Sequence, residues 1–289
     1  MPEQPWLQAS LPLFEEGIVD AIEWSFDCAW EGGEVPGWAI ELLDHFEAAE
    51  RLYGHGVSYS ILTVDCPQHR LWLERFRAEC AERRYRHLTE HFGLMRARNF
   101  HRGAPLPVPY DANLAELAGA RLRELADIAD CPVGLENLAL AFTERDVRDH
   151  ARFIGEILAP AQGFYLLDLH NLYCQSENFG IPLAELFASY PPERIGELHV
   201  SGGSWSESAV DGRQRTIRRD THDEAVPEAI FDLLPQILLR LPKLRVVTFE
   251  QLSVGLIGPD AQSQFAQDAR RLRALLDKTF ADAQTDERA

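Results

Sequence analysis

Gly163-Phe164-Tyr165-Leu166-Leu167-Asp168-Leu169-His170-Asn171 is the stretch on which the fold turns. Phe164 to Leu167 is a short apolar run suited to a strand buried on both faces, and it closes on a carboxylate. The same pattern recurs where apolar runs end on His91, Glu136, His199 and Glu250. Strands that end on ligand-type side chains predict an α/β barrel, (β/α)8, whose strand ends converge on one metal-filled mouth.

Outward from that stretch, strand and helix patterns alternate. Strands are predicted at Trp6 to Ser10 (weak), Ile18 to Trp24, Tyr85 to His91, Pro132 to Glu136, Ile195 to His199 and Leu244 to Glu250. Pattern alone also favours one over Val57 to Leu62, which would leave His55 at a strand entrance. Helices are expected over Trp38 to Glu50, Pro67 to Arg84, Ala112 to Ala129, Thr143 to Leu158, Leu183 to Ser189, Glu224 to Leu241 and Ala261 to Lys278. Two Arg-rich segments, Arg96 to Tyr110 and Ser201 to Thr221, read as loops. Eight strands in strict alternation with helices are what a TIM barrel requires. No Gly-x-Gly-x-x-Gly follows a strand, and Gly202-Gly203 is too little for a phosphate cradle.

Composition fits one domain over residues 1–280, with a flexible tail over 281–289. A hydrophobic fraction of 46% is ample for a core. The net charge of −18 argues against nucleic acid as principal partner, because phosphates would be repelled. Only Lys243 and Lys278 are lysines, and neither ends a strand, which excludes Schiff-base chemistry at the barrel mouth. Cys28, Cys66, Cys80, Cys131 and Cys174 are scattered and odd in number, a pattern of reducing compartments. With no signal-like N-terminus and no long apolar run, the expectation is a cytoplasmic protein without a membrane segment.

Strand-end or following positions supply His55, His91, Glu136, Asp168, Asn171, His199, Asp220, His222 and Glu250. Four carboxylates about 5 Å apart would repel by roughly 3 kcal/mol per pair at an effective dielectric near 20. Such repulsion calls for cations between them, for protonation, for pairing with arginine, or for dispersal. Imidazole mixed with carboxylate and lacking thiolate suits Fe, Mn or Zn, and nine donors exceed the needs of one ion. His170 is expected to alternate with Asp168 and Asn171 and to point away from the mouth, and Cys174 to be a buried thiol. Arg96 to Arg102 and Arg213 to Arg219 are either solvated or placed to bind carboxylates, with Arg218 and Arg219 the substrate-binding candidates.

Leu135-Glu136-Asn137, Leu167-Asp168-Leu169-His170-Asn171-Leu172-Tyr173, Glu197-Leu198-His199-Val200-Ser201-Gly202 and Asp220-Thr221-His222, in this order, resemble the multinuclear non-haem iron-dependent oxidases, which are xylose-isomerase-like TIM barrels. Gly54-His55-Gly56-Val57-Ser58 and Glu90-His91 extend the resemblance, which runs from about Ile18 to Glu250. It implies two or three irons in a mixed Fe(II)/Fe(III) state on the nine residues named above, with Asp220, His222 and Glu250 also catalytic. O2 would be co-substrate, and a residue of a ribosomally made precursor peptide, most often cysteine, would be modified, with a small partner protein presenting the peptide. It also implies a strand that ends at His55, against the periodicity. The chain departs from the family in Leu138 after Glu136-Asn137, in Asn178-Phe179-Gly180, in Gly203 where a second His is usual, and in Gln251-Leu252 after Glu250. The alternatives are a divalent-metal sugar isomerase or epimerase on the same barrel, a DNA-repair endonuclease, which −18 disfavours, and a non-catalytic scaffold.

Overall fold

The computed structural model describes residues 3–31, 34–63, 66–97, 100–210 and 213–286. Backbone proximity divides the chain into two compact units. Ala21–Leu167 form the first, and Glu3–Asp20 with the chain from Asp168 onward form the second.

Where a weak first strand was expected, the chain opens with helix α1 (Gln4–Glu15). Pro5 sits in its first turn, and Ala9 and Leu13, four apart, share a buried face. That face packs in the second unit against Leu256, Phe265 and Ala269.

The first unit then runs β1 (Ile22–Trp24), α2 (Gly37–Ala48), β2 (Leu52–Gly56), α3 (Cys66–Glu82), β3 (Leu88–His91), β4 (Leu94–Ala97), β5 (Phe100–Leu106), α4 (Ala112–Ala129), β6 (Val133–Glu136), α5 (Glu144–Leu158) and β7 (Phe164–Asp168). β1, β2, β3, β6 and β7 are parallel neighbours in that order. Their connections are helical, as parallel pairing demands. β4 and β5 form an antiparallel hairpin that takes up most of the expected Arg-rich loop.

Strand β2 ends at Gly56, one residue past the His55 end that the resemblance implies, and the strand over Val57 to Leu62 does not form. The cause is Asp27, whose carboxylate accepts from the backbone N–H of Val57 at 3.0 Å and of Ser58 at 2.7 Å. Those donors are thereby lost to any ladder. Gly54 and Gly56 flank His55, and Tyr85, Leu88 and Glu90 occupy the space that their side chains would need. Glycine is required there for close approach.

α5 begins at a reciprocal cap. The Thr143 hydroxyl accepts from Asp146 N–H, and the Asp146 carboxylate accepts from Thr143 N–H at 2.9 Å. Thr143→Ala is expected to cost about 1 kcal/mol, read as a lower urea midpoint with unchanged slope.

The second unit continues with α6 (Leu169–Phe179), α7 (Leu183–Ala188), β8 (Ile195–Val200), β9 (Trp205–Val210), β10 (Arg213–Arg218), α8 (Glu228–Ile237), β11 (Val246–Phe249) and α9 (Pro259–Asp286). β8 pairs in parallel with β11, His199 lying opposite Thr248. β9 and β10 are an antiparallel hairpin, Val210 opposite Arg213, where a loop was expected. The intervening Asp211-Gly212 is a dipeptide that two-residue hairpins favour. Helix α9 continues past Phe280, the expected start of a frayed tail, and the last residues, 287–289, lie outside the described ones. Seven strands thus enter parallel pairing among the described residues; of the eight expected, Trp6 to Ser10 lies in α1 and Val57 to Leu62 gives way to β2. Among the described residues no helix is long and apolar enough to cross a membrane, and none of Cys28, Cys80, Cys131 and Cys174 is in a disulfide.

Candidate metal centres

In the first unit the ends of three neighbouring strands bring His55, His91 and Glu136 together, with one donor atom of each within 4.8 Å of the others. His55 Nε2 lies 3.4 Å and His91 Nε2 3.1 Å from Glu136 Oε2. The other ring nitrogens define the tautomers. His91 Nδ1 is 3.2 Å from the Gly56 carbonyl, which only accepts, so Nδ1 carries the proton. Thr89 donates its hydroxyl proton to the Gly54 carbonyl, which leaves its oxygen to accept from His55 Nδ1 at 2.8 Å. In the neutral rings Nε2 is then the unprotonated nitrogen, so two ring nitrogens and a carboxylate oxygen face one another where a cation could bridge them. The donor set fits a transition metal.

Glu90, one residue before His91, is also buried, and its carboxyl is pushed well above the usual range by burial, with Asp27 and Glu136 adding to the effect. Its carboxyl group fills the space beside Gly56.

In the second unit Asp168, His222 and Glu250 place donor atoms within 4.8 Å of one another. Glu250 Oε2 is 3.0 Å from His199 Nδ1 and 3.6 Å from His222 Nδ1, and His222 Nε2 is 2.7 Å from Asp220 Oδ1. His199 Nε2 turns to the buried Glu197, 3.5 Å away, whose Oε1 accepts from Thr248. His199 thus faces a carboxylate from each ring nitrogen, and with the proton on Nε2 its Nδ1 would be the nitrogen turned to a metal beside Glu250. Asp168 is completely buried, and burial, reinforced by Asp220, raises its pKa to about 7 against the pull of His199 and His222. Burial would raise Asp220 as well, but the His222 charge and hydrogen bonds from His170 and His222 hold it well below the carboxylate range. His222 is driven well above its usual value: burial opposes its charge, and Asp220 and Glu250 outweigh burial. His222 also adopts φ 51°, a left-handed conformation that costs a non-glycine residue about 1 kcal/mol and clusters at functional sites.

Asp168 does more than end β7. Its side chain accepts from Asn171 N–H at 2.6 Å and caps α6, so Leu169 starts a helix rather than prolonging the strand. The expected alternation therefore fails, and His170 does not point away. It is fully buried with Nδ1 3.0 Å from Asp220 Oδ1. The signal was present in Asp at the cap followed by Leu169, Leu172 and Tyr173 at helical spacing.

Of the two arginines expected to meet substrate, Arg219 is exposed. Arg218 is turned inward, only 5% exposed, with its guanidinium between the rings of Tyr173 and Trp205. Asn171 is buried beside Asp168. Among the described residues, Asp220 and His199 lie outside the donor triples within either unit and are joined to the second set through His222 and Glu250 respectively.

The departures from the family pattern have local explanations. Leu138 donates its N–H to His150 Nε2 at 3.0 Å, which proline could not do. Burial lowers His150 to a pKa of about 4, so it remains a neutral acceptor. Asn178 clamps the backbone of Arg218 from both sides, at 2.8 and 2.9 Å. Gly202 and Gly203 let backbone atoms of Arg219, Thr221, Glu224 and Ala225 approach where a Cβ would collide.

Comparison with known proteins gives these sites a setting. The chain is 26% identical over 221 residues to a UPF0276 protein of Caulobacter vibrioides, covering 76% of this chain and 74% of the relative. A xylose isomerase-like TIM barrel protein from Mycobacterium smegmatis, solved in complex with magnesium, superposes with a TM-score of 0.56 at 17% identity over 96% of this chain and 90% of that one. An L-ribulose 3-epimerase superposes with a TM-score of 0.59 at 15% identity over 99% and 93%. These likenesses establish the xylose isomerase-like TIM barrel fold and say nothing of substrate. The family described as "RiPP precursor modification enzyme MbnB/TglH/ChrH" matches residues 30–251, well over half of the chain. The chain belongs to that enzyme family, the same multinuclear non-haem iron-dependent oxidases whose motifs it carries.

Proposed function

We propose that this protein is an O2-dependent iron oxidase that modifies a residue, most often cysteine, of a ribosomally made precursor peptide. The observation that carries the reading is the triple His55, His91 and Glu136, with His55 and Glu136 buried and His91 partly so, whose Nδ1 hydrogen bonds turn both Nε2 atoms toward the carboxylate. The second unit supports it with Asp168, His199, His222 and Glu250, joined by Asp220 and Asn171, so that iron would be held in both units. Bound iron would supply the one-electron chemistry that no side chain here provides.

The chain's own residues do the rest. Thr89, the Gly56 carbonyl and Glu197 orient ligand imidazoles. Asp220 and Glu250 hold His222, and these three are the residues placed to handle protons at a bound substrate. Arg219, exposed beside Asp220, is placed to meet a carboxylate of the peptide. A small partner protein presenting the peptide, and a cytoplasmic setting, complete the proposal.

Protein purified without air is expected to hold at least two irons per chain and to consume O2 when given a cysteine-containing precursor peptide, with a mass change in the peptide. Chelation should abolish both. Less than one iron per chain, with no O2 uptake after reconstitution, would overturn the reading.

A further inference from the structure

Asp220 carries two hydrogen bonds on one oxygen, and only one of them comes from a proposed ligand. Oδ1 faces His222 Nε2 at 2.7 Å and, on another side, His170 Nδ1 at 3.0 Å. The second ring nitrogen of His170 is also engaged, because Arg218 Nε lies 3.3 Å from His170 Nε2. A guanidinium only donates, so Nε2 must accept, and His170 is fixed as the neutral tautomer that donates from Nδ1 to Asp220.

Arg218 is in turn restrained. Its backbone is clamped by Asn178 of α6, its guanidinium lies 5.5 Å from the ring centroids of both Tyr173 and Trp205, and Glu224 is 3.7 Å away. Cys174, one turn along α6, packs against the His170 ring at 3.9 Å. The end of hairpin strand β10, the first turns of α6 and Asp220 are thus joined by directional contacts within one unit.

We propose that His170 and Arg218 are positioning residues for the metal centre. Arg218 selects the tautomer of His170, and His170 fixes the orientation in which Asp220 presents its carboxylate to an ion. Neither touches the ion. The inference rests on the proposed function, since it needs Asp220 to serve a bound metal. It also gives a reason for the burial of an arginine at the end of the basic hairpin.

Co(II) reports ligand geometry by its visible absorption and its affinity by chelator competition. It is titrated into wild type and into His170→Leu, His170→Asn, His170→Gln and Arg218→Met. An asparagine amide can place its N–H where Nδ1 sits, whereas glutamine places it near Nε2. His170→Leu and His170→Gln are expected to weaken one Co(II) site by about 10- to 100-fold and to alter its spectrum, the loss typical of an outer partner of a metal ligand. His170→Asn should remain within about threefold of wild type, and Arg218→Met should fall between. If His170→Leu does not fold, the Asn and Gln variants, both amides, decide the matter. Equal affinities and spectra for wild type and all folded variants would overturn the relay while leaving the metal reading intact. A wild type that takes up no Co(II) would overturn both.

Discussion

Glu136→Ala is expected to strip the first unit of its metal and to lower turnover by more than about 100-fold, beyond the 10- to 100-fold cost of losing an outer partner. Glu136 is the carboxylate of its triple and is only 2% exposed. With it gone, two neutral imidazoles remain in a place that solvent barely reaches, so no anion offsets the desolvation of a divalent ion. The backbone role of Glu136 persists in the variant, because its carbonyl accepts from Phe92 N–H at 3.1 Å whatever the side chain. Glu136→Gln is the companion. It preserves volume and a hydrogen-bonding oxygen but not the charge, and it should lose metal as completely while keeping the fold. Iron content and O2 consumption, with thermal unfolding of the metal-free proteins as the control, decide the point. Full iron content in Glu136→Gln would show that charge at this position is dispensable.

Asp168→Asn is expected to move stability and metal binding in opposite directions. The Asp168 carboxyl titrates at about 7 in the folded chain, raised by burial and by Asp220, against about 3.9 when unfolded. A raised carboxyl contributes stability that is complete below the unfolded pKa and is lost as pH rises through the folded one. A rise of that size corresponds to at most about 4 kcal/mol lost by the metal-free protein between roughly pH 4 and pH 7. Asparagine stays neutral throughout and caps a helix as well as aspartate does, so α6 keeps its start. Metal-free Asp168→Asn should therefore exceed the metal-free parent in urea midpoint at pH 8, with the advantage shrinking toward pH 4. Asp220, held low in both proteins, gives stability that is lost only as pH falls, and it does not disturb the comparison. With metal added, the order at pH 8 should reverse, because only the parent retains the carboxylate. A variant less stable than its parent at pH 8 without metal would mean that burial of the charge is relieved by something other than a cation.

The opening stretch shows what sequence could and could not disclose. Phe164 to Asp168 reads correctly as a buried strand because burial on both faces leaves a continuous apolar run with a sharp polar end. The next three residues misread, since a strand pattern and the first turn of a capped helix both put polar groups at Asp168 and Asn171. Only the 2.6 Å cap separates the two. That one turn carried His170 from an expected bystander into contact with Asp220. The strand ends at His91, Glu136 and Glu250 were legible for the same reason as Asp168, whereas His55 needed the family motif, because Asp27, far away in sequence, decides where β2 stops. The two hairpins were hidden by arginines and prolines that mark loops by composition, although Asp211-Gly212 between alternating residues was a usable sign. Trp6 to Ser10 was too short for period alone to choose between strand and helix. Its helical state comes from packing against α9, which no local pattern shows.

X-ray data collected on both sides of the iron absorption edge, from crystals grown without air, test the central claim most directly. Anomalous peaks are expected within bonding distance of His55, His91 and Glu136 in the first unit and of Asp168, His222 and Glu250 in the second. Anomalous maps with no peak at either triple, in protein that nonetheless modifies its peptide, would contradict the account.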